Sequence, residues 1–450
     1  MLAESDKPWR LLRFGSFKEQ ERYGEFREFF DVLVINGNSA AFYGAALASL
    51  LGPEGTLAQV PFIVDPQTHA FQHPYERHLV TRRDESVGAR ASVKKLAVEM
   101  GAPVADAFEQ QRNVTPTDFR DSGTLRDFVH RVVRFQKEMI GRSGDEEQVG
   151  KYLKFARVTP KHPVLVVAPY FYLDNENWHD WLDVNRRLIE AALNVDEDVW
   201  AQVVLAKGIL QDDDARAKIV AKYRTLPVRG VLVWIDSMPE TESGPETLLT
   251  YCKLVRALGN DGDRPVINLY GGYFSLLLAA GREDALLSGV CHGLEYGQER
   301  GVVPIGGGIP MAKFYVPKFH KRYDFEEFLD ILVTMRWHSS AQLFHARVCG
   351  CEACQNVIGS DPANIAKYHE TFPVTFRRGS QVVRLNYPTE ETKLRSLRHF
   401  MSVRRAEYAR LSTLDRAGAC QEMTDVLGEC RAVRNYIAHL DTWRSVLSGL

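Results

Sequence analysis

The chain has 450 residues, 45% of them hydrophobic and 25% charged, and its 56 basic against 58 acidic residues leave a formal charge of −2. That is the composition of an ordinary soluble globular protein, large enough for one big core plus an appendage or for two to three domains, and it exerts no global pull on nucleic acid. The opening "MLAESDKPWRLLRFG" carries no apolar signal segment and no run approaches the ~18 apolar residues of a membrane span, so no membrane association is expected and the expected compartment is the cytoplasm.

Short apolar runs rich in Val and Ile, each ending in polar residues or glycine, recur along the chain: "FFDVLVINGN" (29–38), "VPFIVDPQT" (60–68), "HPVLVVAPYF" (162–171), "VWAQVVLAKG" (199–208), "VRGVLVWIDS" (228–237), "RPVINLYGG" (264–272) and "LSGVCHGLEYG" (287–297). Between most of them lie helix-like stretches such as "NWHDWLDVNRRLIEAAL" and "PETLLTYCKLVRALG". Continuous apolar strands alternating with amphipathic helices predict a parallel sheet buried on both faces. Seven such runs fit an α/β fold, a (β/α)8 TIM-type barrel over 1–335, with the eighth strand expected in the loop-rich insertion around 72–160. A helix-rich subdomain is expected over 336–450, and the Gly and Pro cluster "GVVPIGGGIPMAKFYVP" (301–317) reads as a long barrel-top loop.

Active sites of such barrels are built where strands end. Asp65 closes "PFIVD", Asp236 closes "VLVWID", and Glu295 follows "GVCHGL" in the last strand candidate. Each has a plain alternative as a solvated loop residue, or, for Asp236 before "SMPETES", as a helix N-cap. Convergent carboxylates are what displacement at a sugar anomeric carbon requires: one attacks or shields the oxocarbenium-like centre while another moves a proton.

Three of the seven cysteines crowd into "CGCEAC" at Cys349, Cys351 and Cys354. In a reducing compartment this spacing reads as metal: three thiolates can be aimed at one point about 2.3 Å from each sulfur, and tetrahedral zinc then needs one ligand from elsewhere. Two histidines compete for the fourth place. His369 lies in "AKYHETFP", and His399 lies in "KLRSLRHFMSVRRAEYARL", where Leu394, Leu397, Met401 and Tyr408 fall at roughly helical spacing. His399 is preferred, because a helix packed beside the cysteine turn holds an imidazole rigidly.

A barrel that carries, near its C-terminus, Cys-x-Cys-x-x-Cys followed on a helix by His resembles the tRNA-guanine transglycosylase superfamily. "CGCEACQ" matches that family's zinc motif, and "LRSLRHFMSVRR" is similar to the helix holding its histidine, after a longer gap than is usual there. "FIVDPQTHAFQ" is similar to the family's early strand, where Asp opens a Gly-rich segment; Asp65 is kept and the glycines are gone. "SGVCHGLEYGQER" aligns with the late strand that carries the family's nucleophilic Asp, and no Asp occurs there, which leaves Glu295 or Asp236 as the substitute. The resemblance implies exchange of a base in nucleic acid, and its divergence implies the branch of 7-deazapurine DNA-modification systems, with DNA favoured over tRNA and a free 7-deazaguanine such as preQ0 as second substrate. A carboxylate would attack C1′ of a target guanosine and hold the strand as a glycosyl-enzyme. The zinc, with four protein ligands, would be structural, and proteins of a DNA-modification system would be partners.

The implied base site is "NLYGGYF": Gly271 and Gly272 would let backbone approach the base, and Tyr270 or Tyr273 would stack on it, unless the segment is a tight turn with core aromatics. From Phe376 to Arg410 nine basic residues face three glutamates, a balance of +6, so phosphate contact is expected there, with Arg404 and Arg405 as representatives. Three rival readings stand beside the DNA enzyme: a tRNA-guanine transglycosylase, a catalytically silent nucleic-acid-binding subunit, and a zinc-stabilised barrel hydrolase, against which the lack of His-rich strand ends argues.

Overall fold

The computed structural model describes residues 7–15, 20–52, 55–81, 86–139, 161–280, 285–294, 298–302, 313–378, 381–411 and 413–450. The chain divides into two compact units. One comprises Met1–Pro239, Leu249–Gly293 and Gly297–Pro304; the other comprises Glu240–Leu248, Leu294–Tyr296 and Ile305–Leu450.

The first unit contains β1 (Trp9–Arg13), β2 (Val32–Asn36), β3 (Phe62–Asp65), a small antiparallel hairpin β4 (Leu79–Thr81) and β5 (Val87–Ala89), then β6 (Val166–Val167), β7 (Val199–Leu205), β8 (Gly230–Ile235), β9 (Val266–Asn268) and β10 (Gly289–His292). Eight of these form one parallel sheet in the order β3-β2-β1-β10-β9-β8-β7-β6. The first and last strands of that order, β3 and β6, are themselves joined by Val164 N donating to Phe62 O at 2.9 Å, so the sheet is a nearly closed barrel. The seven apolar runs all supply strands. The eighth is not in 72–160 but at the N-terminus, "WRLLR", where two arginines interrupt the apolar pattern. Arg10 leaves the barrel wall to pair with Asp31 at 2.6 Å, while Trp9 and Leu11 point into the core. The described part of 72–160 holds the β4–β5 hairpin and three helices, Ala91–Met100, Val104–Glu109 and Ser122–Glu138.

Residues of β2, β3, β7 and β8 are buried throughout, as strands covered on both faces must be. Alternate residues such as Leu11, Val34, Ile63, Val204, Leu232 and Ile267 fill the barrel interior, and the intervening ones face the surrounding helices.

Where β6 faces β3 no regular ladder is formed among the described residues, and side chains take over the backbone groups. Gln136, on the helix Ser122–Glu138, donates to Val167 O at 2.8 Å and accepts from Val167 N at 2.9 Å. Asn185, on the helix Trp178–Leu193, does the same for Phe171, at 2.8 and 2.7 Å. Thr68 and Gln72, just past β3, clamp the next two alternate residues: Tyr170 N donates to Thr68 Oγ1 at 2.9 Å, and Gln72 takes Tyr172 N at 2.5 Å and gives to Tyr172 O at 3.0 Å. Buried backbone groups need partners, and here four side chains supply them.

The second unit contains the antiparallel hairpin β11 (Lys313–Val316) and β12 (Lys321–Asp324), and a longer one, β13 (Thr371–Arg378) and β14 (Gln381–Pro388), among helices that include Phe325–Thr334, Glu352–Ile358, Glu390–Leu411, Arg416–Glu429 and Ala438–Ser448. The last residues of the Gly and Pro cluster, expected as loop, thus form strand β11; 303–312 lie outside the described residues. Among the described residues no helix is long and apolar enough to cross a membrane.

Gln136→Leu keeps the volume but orphans both backbone groups of Val167, so it should lower unfolding stability by about 2–4 kcal/mol. A urea titration should show a lower midpoint at unchanged slope; an unchanged midpoint would mean that the seam is closed by other contacts.

Candidate functional site

The inward-facing residues at the C-terminal ends of β1, β2 and β3 are polar. Arg13 ends β1, Asn36 ends β2 and Asp65 ends β3, all buried. Arg13 Nη1 donates to Asn36 Oδ1 at 2.5 Å and lies 3.4 Å from Asp65 Oδ2. Asp65 Oδ1 accepts from the Tyr170 hydroxyl at 2.6 Å and from Gln67 N at 3.2 Å, and the side chain has no exposure. Burial, the largest influence on Arg13, opposes its charge, but Tyr270, Cys291 and Asp65 outweigh it and hold the guanidinium above its ordinary pKa. Arg13 therefore stays a cation inside the barrel mouth, with its guanidinium 4.3 Å from the centre of the Tyr270 ring. Tyr170 is a permanent donor, since burial and the neighbouring Asp65 push its pKa well up.

Asp236, one residue past β8, is held differently. Its Oδ2 accepts from the Tyr172 hydroxyl at 2.8 Å, and its Oδ1 accepts from Val302 N at 2.8 Å and Ser237 Oγ at 2.9 Å. It is half-buried rather than sealed. Burial, followed by the hydrogen bond to Asp236, raises the Tyr172 pKa, so this tyrosine too only donates. A single segment, "YFY" after β6, thus hands one tyrosine to each of two carboxylates that are 171 positions apart in sequence (236 − 65). Asp236 is no helix N-cap: its acceptors serve a loop amide, its neighbour's hydroxyl and a tyrosine. Glu295 lies outside the described residues.

Of the expected base site, Tyr270 does join this group: its ring packs 4.6 Å from that of Trp234, and Arg300 Nη1 donates to its hydroxyl at 3.2 Å. The others do not serve as expected. A Cβ on Gly271 would meet Val290 Cγ1 at 2.5 Å and Ser275 Cβ at 2.9 Å, so this glycine makes room for core packing rather than for a ligand. Tyr273 is buried at the start of the helix Tyr273–Leu278, apart from the Arg13, Trp234 and Arg300 contacts that hold Tyr270, and Gly272 is the residue before that helix.

Three histidines follow Asp65 in "THAFQH" and "ERH": His69, His73 and His78, all buried and each with one ring nitrogen lacking a hydrogen bond. His69 stacks on Tyr170 at 5.2 Å and meets Trp234 edge-on. Burial first, then His73 and the Arg300 and Arg13 cations, hold His69 well below its usual pKa; burial likewise lowers His73 and brings His78 to about 4. All three are neutral at pH 7. Arg13, Asn36, Tyr170, Tyr172, His69 and Arg300 are not among the residues expected from the sequence; only Asn36, the polar residue that closes the run "VLVIN", has a local signal there.

In the second unit Cys349, Cys351, Cys354 and His399 bring one donor atom each to within 4.8 Å of one another, a group that could bind a metal ion. The His399 Nδ1 atom stands 3.6, 3.4 and 3.2 Å from the three sulfurs. A tetrahedron with the usual zinc–sulfur and zinc–nitrogen lengths has S···N edges of about 3.6 Å, so the four atoms are spaced for one ion. The other ring nitrogen, Nε2, is bonded to Tyr315 O at 2.7 Å, which turns Nδ1 toward the sulfurs. Backbone amides of Cys351 and Cys354 point at the sulfurs of Cys349 and Cys351, at 3.5 and 3.4 Å. His369 is elsewhere, stacked on Phe325 at 4.5 Å.

The basic helix Glu390–Leu411 corrects the expected phosphate contacts. Arg404 is 2% exposed, pairs with Glu407 at 3.0 Å and lies over the Phe400 and Tyr315 rings, so it cannot reach a phosphate. Arg405 is exposed on the same helix but already engaged.

No protein-family model matches the chain, and neither a curated protein nor a solved structure is significantly similar to it.

Two measurements follow from this geometry. The histidines are neutral in the fold and titrate near 6.5 when unfolded, so below 6.5 the unfolded chain takes up protons that the fold refuses. Melting temperature should fall as pH drops from 6.5 toward about 4, where His78 itself titrates, and His78→Gln should flatten the fall; an unchanged pH profile in that variant would contradict the assignment. Elemental analysis should find about one metal ion per chain, lost together with several degrees of melting temperature in Cys351→Ser and His399→Ala but kept in His369→Ala. Metal loss in the His369 variant alone would overturn the ligand set.

Proposed function

We propose that this protein is a base-exchange transglycosylase, related to the tRNA-guanine transglycosylases, that replaces guanine in DNA with a free 7-deazaguanine. The observation that carries the reading is the pair of carboxylates Asp65 and Asp236, set at the ends of two strands of one parallel barrel and each oriented by a tyrosine of the same segment. Two oriented carboxylates at a barrel mouth are the minimum equipment for displacement at an anomeric carbon. The alternation of strands and helices around that barrel is read as the TIM type, and the Cys3His group as a structural zinc site, since four protein donors leave no open coordination position.

The two carboxylates divide the labour by exposure. Asp236, half-buried and fixed from three sides, is the nucleophile: its oxygen bonds to C1′ of the flipped nucleotide as the C1′–N9 bond breaks, and guanine leaves with a proton taken up on its ring. Asp65, sealed between Arg13 and Tyr170, is the proton-handling group. The departing guanine draws its proton from water; the incoming 7-deazaguanine then gives its N9 proton to the Asp65 carboxylate, its nitrogen bonds to C1′ as the C1′–O bond to Asp236 breaks, and Asp65 returns the proton to water. Tyr270, between Arg13, Trp234 and Arg300, is placed to face the base.

A second reading, a silent nucleic-acid-binding subunit, is favoured by one observation: both oxygens of Asp65 are already engaged and the side chain has no exposure. The two readings separate on variants. Under the first, Asp65→Asn and Asp236→Asn each cut exchange by about 10³-fold or more at normal folding. Only Asp236→Asn should abolish the covalent adduct with nucleic acid in a denaturing gel. Under the second, neither variant changes anything but stability.

A further inference from the structure

The +6 segment 376–410 divides into a helix whose cations are engaged and a hairpin with one, Arg384, that is unengaged among the described residues. On the helix Glu390–Leu411, Arg404 pairs with Glu407, Arg395 with Glu370 and Glu391, Lys393 with Glu390, and Arg410 with Glu422. Arg398 and Arg405 are engaged as well. The hairpin β13–β14 carries Arg377, Arg378 and Arg384 and not one acidic residue between 371 and 388. Arg384 is exposed, and among the described residues nothing hydrogen-bonds or ion-pairs with it.

The register sorts the hairpin into two faces. Thr375 lies opposite Arg384, Pro373 opposite Asn386 and Arg377 opposite Val382 on the more polar face, and Phe372 lies opposite Tyr387, Val374 opposite Leu385 and Arg378 opposite Gln381 on the more apolar one. Among the described residues no third strand joins the pair. Its base is tied to the metal centre. Thr389 N and the Thr392 hydroxyl both donate to Glu370 O, at 3.0 and 2.9 Å, and β14 runs on into the helix that holds His399.

We propose that the β13–β14 hairpin is a ribbon that contacts the phosphates of duplex DNA through its polar face, with Arg384 as a principal contact. This rests on the transglycosylase reading, which supplies the nucleic acid. Charge complementarity favours this partner: an acid-free ribbon with two arginines on its polar face attracts a polyanion although the chain as a whole carries −2. Width favours duplex DNA, because the B-form major groove admits a two-stranded ribbon while the A-form groove of RNA is too deep and narrow.

The test is binding of the full-length, metal-loaded protein to a short fluorescent DNA duplex across a salt series. Arg384→Glu should weaken binding roughly five- to tenfold at low salt and reduce the salt slope by about one unit, with metal content and melting temperature unchanged. Wild-type protein that binds no nucleic acid at all would sink the functional reading and the ribbon with it. Wild-type binding that Arg384→Glu leaves untouched would overturn the ribbon alone. If, in addition, Leu385→Glu turned a dimer into a monomer, the hairpin would be a contact between two copies of the chain instead.

Discussion

The barrel depends on how its one imperfect seam is closed. Between β3 and β6 no regular ladder forms among the described residues, and Gln136, Asn185, Thr68 and Gln72 supply the missing donors and acceptors. Each such bond is worth only about 0.5–1.5 kcal/mol net, but leaving the buried group unpaired costs more. The same four side chains fix residues 167 to 172, so they also set where Tyr170 and Tyr172 stand. Closure of the fold and aim of the two carboxylates are one set of interactions.

The mouth is an electrostatic arrangement with few free terms. One buried cation, Arg13, faces one buried carboxylate, Asp65, and neutral donors do the rest: tyrosines whose pKa values are driven up and histidines whose pKa values are driven down. Burial is the largest influence on all three, and in that low-dielectric setting a paired charge is tolerated where a lone one is not. Asp236 sits at the wetter edge of the same arrangement, bonded to neutral donors, and is the more exposed of the two carboxylates.

What the sequence made legible was governed by pattern strength. Uninterrupted runs such as "VWAQVVL" and "GVLVWI" announce buried parallel strands, and the cysteine spacing announces a metal group, because both signals are local. β1 was missed because Arg10 and Arg13 break its apolar run for reasons that lie 21 and 52 residues away, at Asp31 and Asp65. The tyrosine-to-carboxylate bonds span 105 and 64 positions and leave no local trace. Arg404 looked like a phosphate ligand because a helical basic run does not disclose which face is turned inward; its partner Glu407, three residues on, was the available clue.

The central claim is that a base enters nucleic acid at this barrel mouth. The direct measurement is incubation of the purified protein with radiolabelled guanine or a labelled 7-deazaguanine, together with DNA or tRNA, followed by counting the polymer. The account predicts label in DNA, at a rate that exceeds that for tRNA. Label in neither polymer, from protein that is folded and metal-loaded, would contradict it.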